Sequence, residues 1–118
     1  MKYLMFIKHA ESYRNQPIPK ALNDAMGEFV QESFKSGVLK DTGGLRPTSE
    51  GFRIRSSKNK LTVTDGPFSE GKEVVGGYAM VEVASREQAL KVARDFMELH
   101  RVHWPAFEGE CEVRPLDG

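Results

Sequence analysis

Two segments of this 118-residue chain have the length of a β-strand and carry apolar side chains at both odd and even positions: residues 2–7 and residues 74–83. Because successive side chains of a strand point to opposite faces, each segment predicts a strand that is apolar on both faces. In the first strand these faces are Tyr3, Met5 and Ile7 on one side, and Leu4 and Phe6 on the other. The sheet that contains both strands therefore needs cover on both sides.

Two other segments have the spacing of amphipathic helices. Apolar residues recur every three or four positions over residues 22–34, after Pro19, which suits a helix start, and before Gly37, which suits a helix end. A second stripe covers residues 89–100 and follows Ser85-Arg86-Glu87-Gln88, a capping-box pattern. Both segments predict helices that bury one side.

The remaining strands are predicted to be shorter. Residues 38–45 form one, residues 52–55 and 61–64 pair as a hairpin, and residues 110–114 alternate as the last strand. The order of elements predicts an α+β fold, ferredoxin-like (split βαβ) with an inserted hairpin, and the length fits a single domain over residues 1–118.

The second apolar face of the sheet has a consequence for assembly. Two helices cover only one face of a single sheet, so we predict a homodimer that packs sheet to sheet. The alternative is a monomer in which Tyr3 and Tyr78 sit half-exposed at a sheet edge.

Composition excludes several partners and locations. With 17 Lys plus Arg and 17 Asp plus Glu the formal net charge is zero, so direct nucleic-acid binding is not expected. The single cysteine, Cys111, has no partner for a disulfide, and no Cys/His spacing resembles a zinc site. The apolar run of residues 3–7 is far shorter than the ~20 residues that span a bilayer. We expect a cytoplasmic protein with no membrane association, no metal and no cofactor.

Between the hairpin and the strand of residues 74–83 lies the sequence Asp65-Gly66-Pro67-Phe68, which a strand cannot continue. Gly tolerates positive φ, and Pro fixes φ and donates no hydrogen bond. The chain is predicted to turn here. Asp65, Lys72 and Glu73 then lie on a loop between two strands, where functional side chains are often found.

This turn and the residues after it, Lys72-Glu73 and Gly76-Gly77-Tyr78, resemble the DGPF branch of the YCII-related domain family. The resemblance extends to the first five residues, to Gly43-Gly44-Leu45 and to the tail at residues 112–115, so it covers nearly the whole chain. It implies a dimeric α+β barrel of ferredoxin-like subunits, which agrees with the two-faced strands.

The resemblance implies less about activity. Another branch of the family is thought to use a His/Asp pair for acid–base chemistry, but here His9 is predicted in a loop and the first helix carries no histidine, so that pair is not transferable. Members of the DGPF branch resemble proteins found beside extracytoplasmic-function sigma factors. This implies a non-catalytic role in sigma-factor-dependent transcription as the alternative to a small-molecule function.

Five residues are candidates for a site. Asp65 is predicted to be a catalytic base or, equally, a hydrogen-bond acceptor that stabilises its own turn. His100 is predicted to be the partner of Asp65 in proton transfer, with a hydrogen-bonded structural histidine as the alternative. Lys72, Glu73 and His103 are predicted to bind a ligand, with a solvated Lys/Glu pair as the alternative. Such a set suits acid–base chemistry of the isomerase, decarboxylase or cofactor-free oxygenase kind, and whether the protein is an enzyme stays open.

Overall fold

A computed structural model describes residues 1–12, 16–68 and 73–117. The elements, in chain order, are β1 (Lys2–His9), α1 (Lys20–Lys35), β2 (Leu39–Gly44), β3 (Phe52–Ser57), β4 (Lys60–Asp65), β5 (Val74–Glu82), α2 (Arg86–His103) and β6 (Gly109–Pro115). The predicted order of strands and helices is confirmed. One prediction was wrong: β1 continues beyond Ile7, so His9 is the last residue of a strand and not part of a loop.

The main sheet has four antiparallel strands in the order β2–β5–β1–β6, which is the ferredoxin-like arrangement. The two strands that are apolar on both faces, β1 and β5, are its inner strands. Tyr3 lies on β1 and is 6% exposed, and Tyr78 lies on β5. Neither tyrosine is on an edge strand, so the placement given by the monomeric alternative is wrong.

Both helices pack on the same face of this sheet, here called the inner face. The core there joins side chains of the sheet to the buried side of α2: Tyr3, Met5, Leu39, Val81, Val83, Ala89 and Ala93. The side chains that alternate with them on β1 and β5, including the paired Leu4 and Met80, belong to the opposite, outer face. The molecule is 19 Å thick along its shortest axis, which is the thickness of two layers.

The ends of the helices follow the predicted signals. Ser85 accepts a hydrogen bond from the Gln88 backbone N–H at 3.2 Å, and the Gln88 side chain accepts one from the Ala84 N–H at 2.8 Å. The returning bond thus reaches one residue further back than in a standard capping box. Gly37 has a φ of +83° just after α1, a conformation that favours glycine at a helix end.

The predicted hairpin is confirmed as a separate two-stranded sheet of β3 and β4. Its turn is Lys58-Asn59, and both residues have positive φ, as two-residue hairpins of this kind require. Every residue of β3 and β4 is exposed. Within the described residues, no helix is long and apolar enough to cross a bilayer.

Candidate functional site

A cavity of about 530 Å³ lies between the inner face of the sheet and the two helices. This volume is within the range of small-molecule sites. Its walls are mostly aliphatic and aromatic side chains from β1, α1, α2 and β5, among them Met5, Ile7, Leu22, Met26, Phe29, Val30, Ala79, Val81, Val92 and Phe96. The polar side chains of the lining include His9, Gln16, Ser33, Thr42 and His100.

His100 is the buried polar residue of the helix stripe, with only 7% of its surface exposed. Its Nδ1 lies 3.1 Å from the backbone carbonyl of Phe96, and because a carbonyl only accepts, Nδ1 carries the hydrogen. Burial lowers the pKa of His100; the Phe96 carbonyl opposes this effect, and a positive charge on His9 adds to it. A neutral imidazole held in this tautomer has its lone pair on Nε2.

His9 reaches the same cavity from the end of β1. Its Nδ1 lies 2.8 Å from the carbonyl of Ala10 and therefore donates to it. The other edge of the ring lies over the backbone of Gly76 in β5: a Cβ at this position would sit 2.1 Å from His9 Nε2. Only glycine at residue 76 leaves room for the imidazole in this position.

The rings of His9 and His100 share a neighbour, Phe107, in the segment after α2. The centroid of Phe107 is 4.9 Å from that of His100 and 6.2 Å from that of His9. Trp104 packs on Phe107 at 5.5 Å. One end of the cavity is therefore aromatic and carries two imidazoles.

Apart from its two imidazoles, the described lining offers no side chain that carries a full charge. None of the described residues that line the cavity is a Lys, Arg, Asp or Glu. Cys111 also lines it, and burial raises the pKa of its thiol, so the thiol stays protonated at neutral pH. Cys111 also packs against the core cluster and acts there as a small core residue.

Of the four predicted site residues that the structure describes, His100 lines the cavity. Asp65 is the exposed last residue of β4, Glu73 is exposed just before β5, and neither lines the cavity. His103 is the half-buried last residue of α2, one turn beyond His100, and does not line it either. Lys72 lies outside the described residues. The structure thus does not bring Asp65 into the cavity with His100, and instead places His9 in the lining with His100.

The turn at Gly66 is packed against the 3₁₀ turn Thr48–Glu50. The Gly66 N–H donates to the Gly51 carbonyl at 2.9 Å, and a Cβ on Gly66 would lie 1.7 Å from the Thr48 carbonyl oxygen. The Thr48 hydroxyl accepts from the Phe68 N–H at 3.2 Å and donates to Glu11 at 2.7 Å. These contacts join the end of the hairpin to the chain that follows β1, so in the described residues Gly66 and Phe68 act as structural residues.

His9 was missed as a site residue, although the sequence carried a signal for it. The alternation that places Tyr3, Met5 and Ile7 on one face continues by two positions to His9. The first strand was instead predicted to end at Ile7, with His9 in a loop. Lys8 points to the outer face, where it bonds to Glu112 at 2.8 Å, so it does not interrupt the inner pattern.

Comparisons with known proteins identify a family and a relative. Residues 1–98 match the YCII-related domain. A curated relative is an uncharacterized protein of Rhizobium meliloti (strain 1021), which is 37% identical over 88 residues; the match covers 74% of this chain and 67% of that protein.

Proposed function

This chain belongs to the YCII-related domain family, and on that premise we propose that it binds a small, uncharged and largely apolar molecule in the cavity, with His100 as the group that exchanges a proton with it. The observation that carries the proposal is the buried imidazole of His100, 7% exposed, at the wall of a cavity of about 530 Å³. The proposal keeps the predicted acid–base chemistry at His100 and adds His9, which lines the same cavity.

The charge of the ligand follows from the lining. A buried ion without a partner is costly in an apolar environment, and the described lining contains no Lys or Arg to pair with an anion and no Asp or Glu to pair with a fixed cation. An uncharged molecule avoids this cost. The aromatic side chains Phe29, Phe96 and Phe107 favour a flat ligand, because rings pack well on rings.

The chemistry follows from the tautomer of His100. With Nδ1–H bonded to the Phe96 carbonyl, Nε2 is the acceptor, so the ligand offers it an O–H, an N–H or an acidic C–H. When this proton moves to Nε2, the ligand keeps the electron pair and the imidazole becomes a cation. Burial disfavours that cation, so the proton returns readily, to the same atom or to another one. This is the step that an isomerase needs.

Two probes of the same shape test the proposal. N-phenyl-1-naphthylamine is uncharged, aromatic and carries one N–H, whereas 8-anilino-1-naphthalenesulfonate has the same skeleton with a sulfonate. Fluorescence titration is expected to give a dissociation constant on the order of micromolar for the amine, as its size permits. We expect binding of the sulfonate to be at least tenfold weaker. Equal binding of both probes contradicts an uncharged site.

Three variants locate the binding. Ala79→Phe fills the cavity from β5 and is expected to abolish binding of the amine, while Val102→Phe, on an exposed position of α2 that does not line the cavity, leaves it unchanged. His100→Phe keeps an aromatic ring but removes Nε2, and we expect about tenfold weaker binding, the value of one hydrogen bond. If the Ala79→Phe variant binds the amine as tightly as the unaltered protein does, the amine binds outside the cavity and the proposed site is wrong.

The other predicted roles stay predictions. Asp65, Lys72, Glu73 and His103 remain proposed ligand or acid–base residues, and a cytoplasmic location and an association with sigma-factor-dependent transcription remain proposed as well. Co-purification with an extracytoplasmic-function sigma factor tests the last of these.

A further inference from the structure

The hairpin of β3 and β4 holds a local excess of positive charge. Residues 52–64 contain four Lys or Arg side chains and no Asp or Glu, although the formal net charge of the whole chain is zero. The rest of the chain therefore has a formal net charge of −4. The expectation that nucleic acid is not bound follows from the total charge alone, whereas an uneven distribution of charge attracts a polyanion to one part of a neutral molecule.

The register of the hairpin places most of these cations on one face. Paired residues of an antiparallel ladder share a face, and successive residues alternate between the two faces. Three pairs lie on the same face, and each joins one cation to one hydroxyl group: Arg53 with Thr64, Arg55 with Thr62, and Ser57 with Lys60. This surface is here called the basic face of the hairpin. The apolar side chains lie on the opposite face: Phe52, Ile54, Leu61 and Val63.

The cations of the hairpin are exposed. This holds for every residue of β3 and β4 and for Lys58 in the turn. Within the part of the chain that the structure describes, Arg55, Lys58 and Lys60 take part in no ion pair. On the helices, by contrast, Lys20 and Lys91 each bond to an aspartate four residues further on. These three hairpin cations are thus available to an anionic partner.

The shape of the molecule makes the hairpin accessible. Its two strands form a separate sheet, and its base is fixed where the Gly66 N–H bonds to the Gly51 carbonyl at 2.9 Å. The Cζ atom of Arg53 lies 3.9 Å from the centroid of the Phe68 ring, a cation–π contact at the base of the basic face. The radius of gyration is 15.9 Å, whereas a compact domain of this length has about 13.5 Å. The hairpin thus projects as an arm.

Double-stranded DNA is the partner that fits this arm. Two paired strands lie about 4.8 Å apart, and a ribbon of this kind enters the major groove, which is about 12 Å wide. Cationic and hydroxyl side chains are the donors that proteins direct to phosphate oxygens and base edges. Because the rest of the chain is negative, the DNA repels it, and the arm makes the contact.

An anionic lipid surface fits the arm less well. A membrane would take up the apolar face of the hairpin. Since strand side chains stand perpendicular to their sheet, the basic face would then point away from the lipid headgroups.

We propose that the basic face of the hairpin binds double-stranded DNA, with the ribbon in the major groove and its cations on the phosphates. Three or four phosphate contacts per chain give weak binding that depends strongly on salt. The proposal does not use the apolar face of the hairpin and does not depend on the function of the cavity.

Fluorescence anisotropy with a labelled duplex of about 30 base pairs, roughly three helical turns, tests this interface. Arg55→Glu with Lys60→Glu reverses two charges on the basic face. Lys40→Glu with Arg94→Glu makes the same change in net charge outside the hairpin and is the matched control. All four residues are exposed, so neither double variant removes a core side chain. Circular dichroism verifies that both fold.

The expected result separates the arm from the total charge. At about 50 mM salt we expect the unaltered protein to bind the duplex with a dissociation constant on the order of 10 μM, and the control to stay within about threefold of it. Arg55→Glu/Lys60→Glu is expected to bind at least about 30-fold more weakly. Raising the salt about fourfold weakens the unaltered protein roughly 100-fold, and the double variant on the basic face loses about two contacts from this salt dependence.

Three results overturn the proposal. The first is the absence of duplex binding by the unaltered protein at about 50 mM salt. The second is equal weakening by the two double variants, which means that only the total charge matters. The third is tighter binding to a single-stranded oligonucleotide of the same length, which has no major groove, or to vesicles of phosphatidylserine and phosphatidylcholine than to the duplex.

Discussion

The environment of His100 links its protonation to folding. Burial lowers the pKa of this imidazole below its ordinary value of 6.5, whereas the unfolded chain keeps that value. Between the two values the unfolded state binds the proton and the folded state does not. The contribution of the neutral His100 to the free energy of unfolding is therefore complete above the pKa of the unfolded chain. It is lost as the pH falls from that value through the lower pKa of the folded protein.

We predict that this loss can be assigned to His100 by substitution. Urea unfolding of the unaltered protein at a series of pH values is expected to show the free energy of unfolding falling below pH 6.5, with a smaller fall in His100→Phe. His103→Gln, one turn further along α2, serves as the control and retains the fall. An identical pH profile for the His100→Phe variant and the unaltered protein contradicts the linkage.

Gly76 gives a second prediction at the scale of single residues. Gly76→Ala places a methyl group 2.1 Å from His9 Nε2, so the imidazole has to leave its position. We expect a loss of about 1–3 kcal/mol in the free energy of unfolding and a changed His9 signal in the NMR spectrum. The matched control is Gly44→Ala, also in the cavity lining, where a Cβ meets nothing within 4 Å. Equal effects of the two substitutions disprove the close approach.

The two histidines also show how far single residues were predictable. His100 was predicted from helical spacing, because its place on an apolar stripe depends only on the local period. His9 depends on where β1 ends, and strand ends are set by pairing with strands distant in sequence. Its partners are Val74 of β5 and Gly109 of β6.

Among the elements, the turn after β4 is defined by its contacts rather than by its own sequence. Asp65-Gly66-Pro67-Phe68 predicted a bend and, with it, a site. The structure adds Thr48 and Glu11, which are hydrogen-bonded to each other and, through the Thr48 hydroxyl, to Phe68. No local pattern marks these two residues as partners of the turn, so its structural role could not be derived from the sequence.

We predict that this packing does not tolerate a side chain at Gly66 but tolerates one at Gly51. Gly66→Ala brings Cβ to 1.7 Å from a backbone oxygen, which cannot rotate away, and we expect a loss of about 3 kcal/mol in unfolding free energy. Gly51→Ala places its Cβ at 3.7 Å from the same oxygen and is expected to be nearly neutral. Thermal unfolding of both variants measures the difference. A stable Gly66→Ala protein means that the two turns are not packed as described.

At the scale of the whole molecule, the fold was predictable and the cavity was not. Alternation and helical period determine which face each element buries, and the ferredoxin-like order followed from them. The cavity depends on a lack of side-chain volume on the inner face of β5, which carries Gly77 and Ala79 there. These small residues lie next to the larger Ile7 and Met5 of β1 on one side and next to β2 on the other. Small residues in a strand predict either close packing or a void, and only the positions of the helices decide between them.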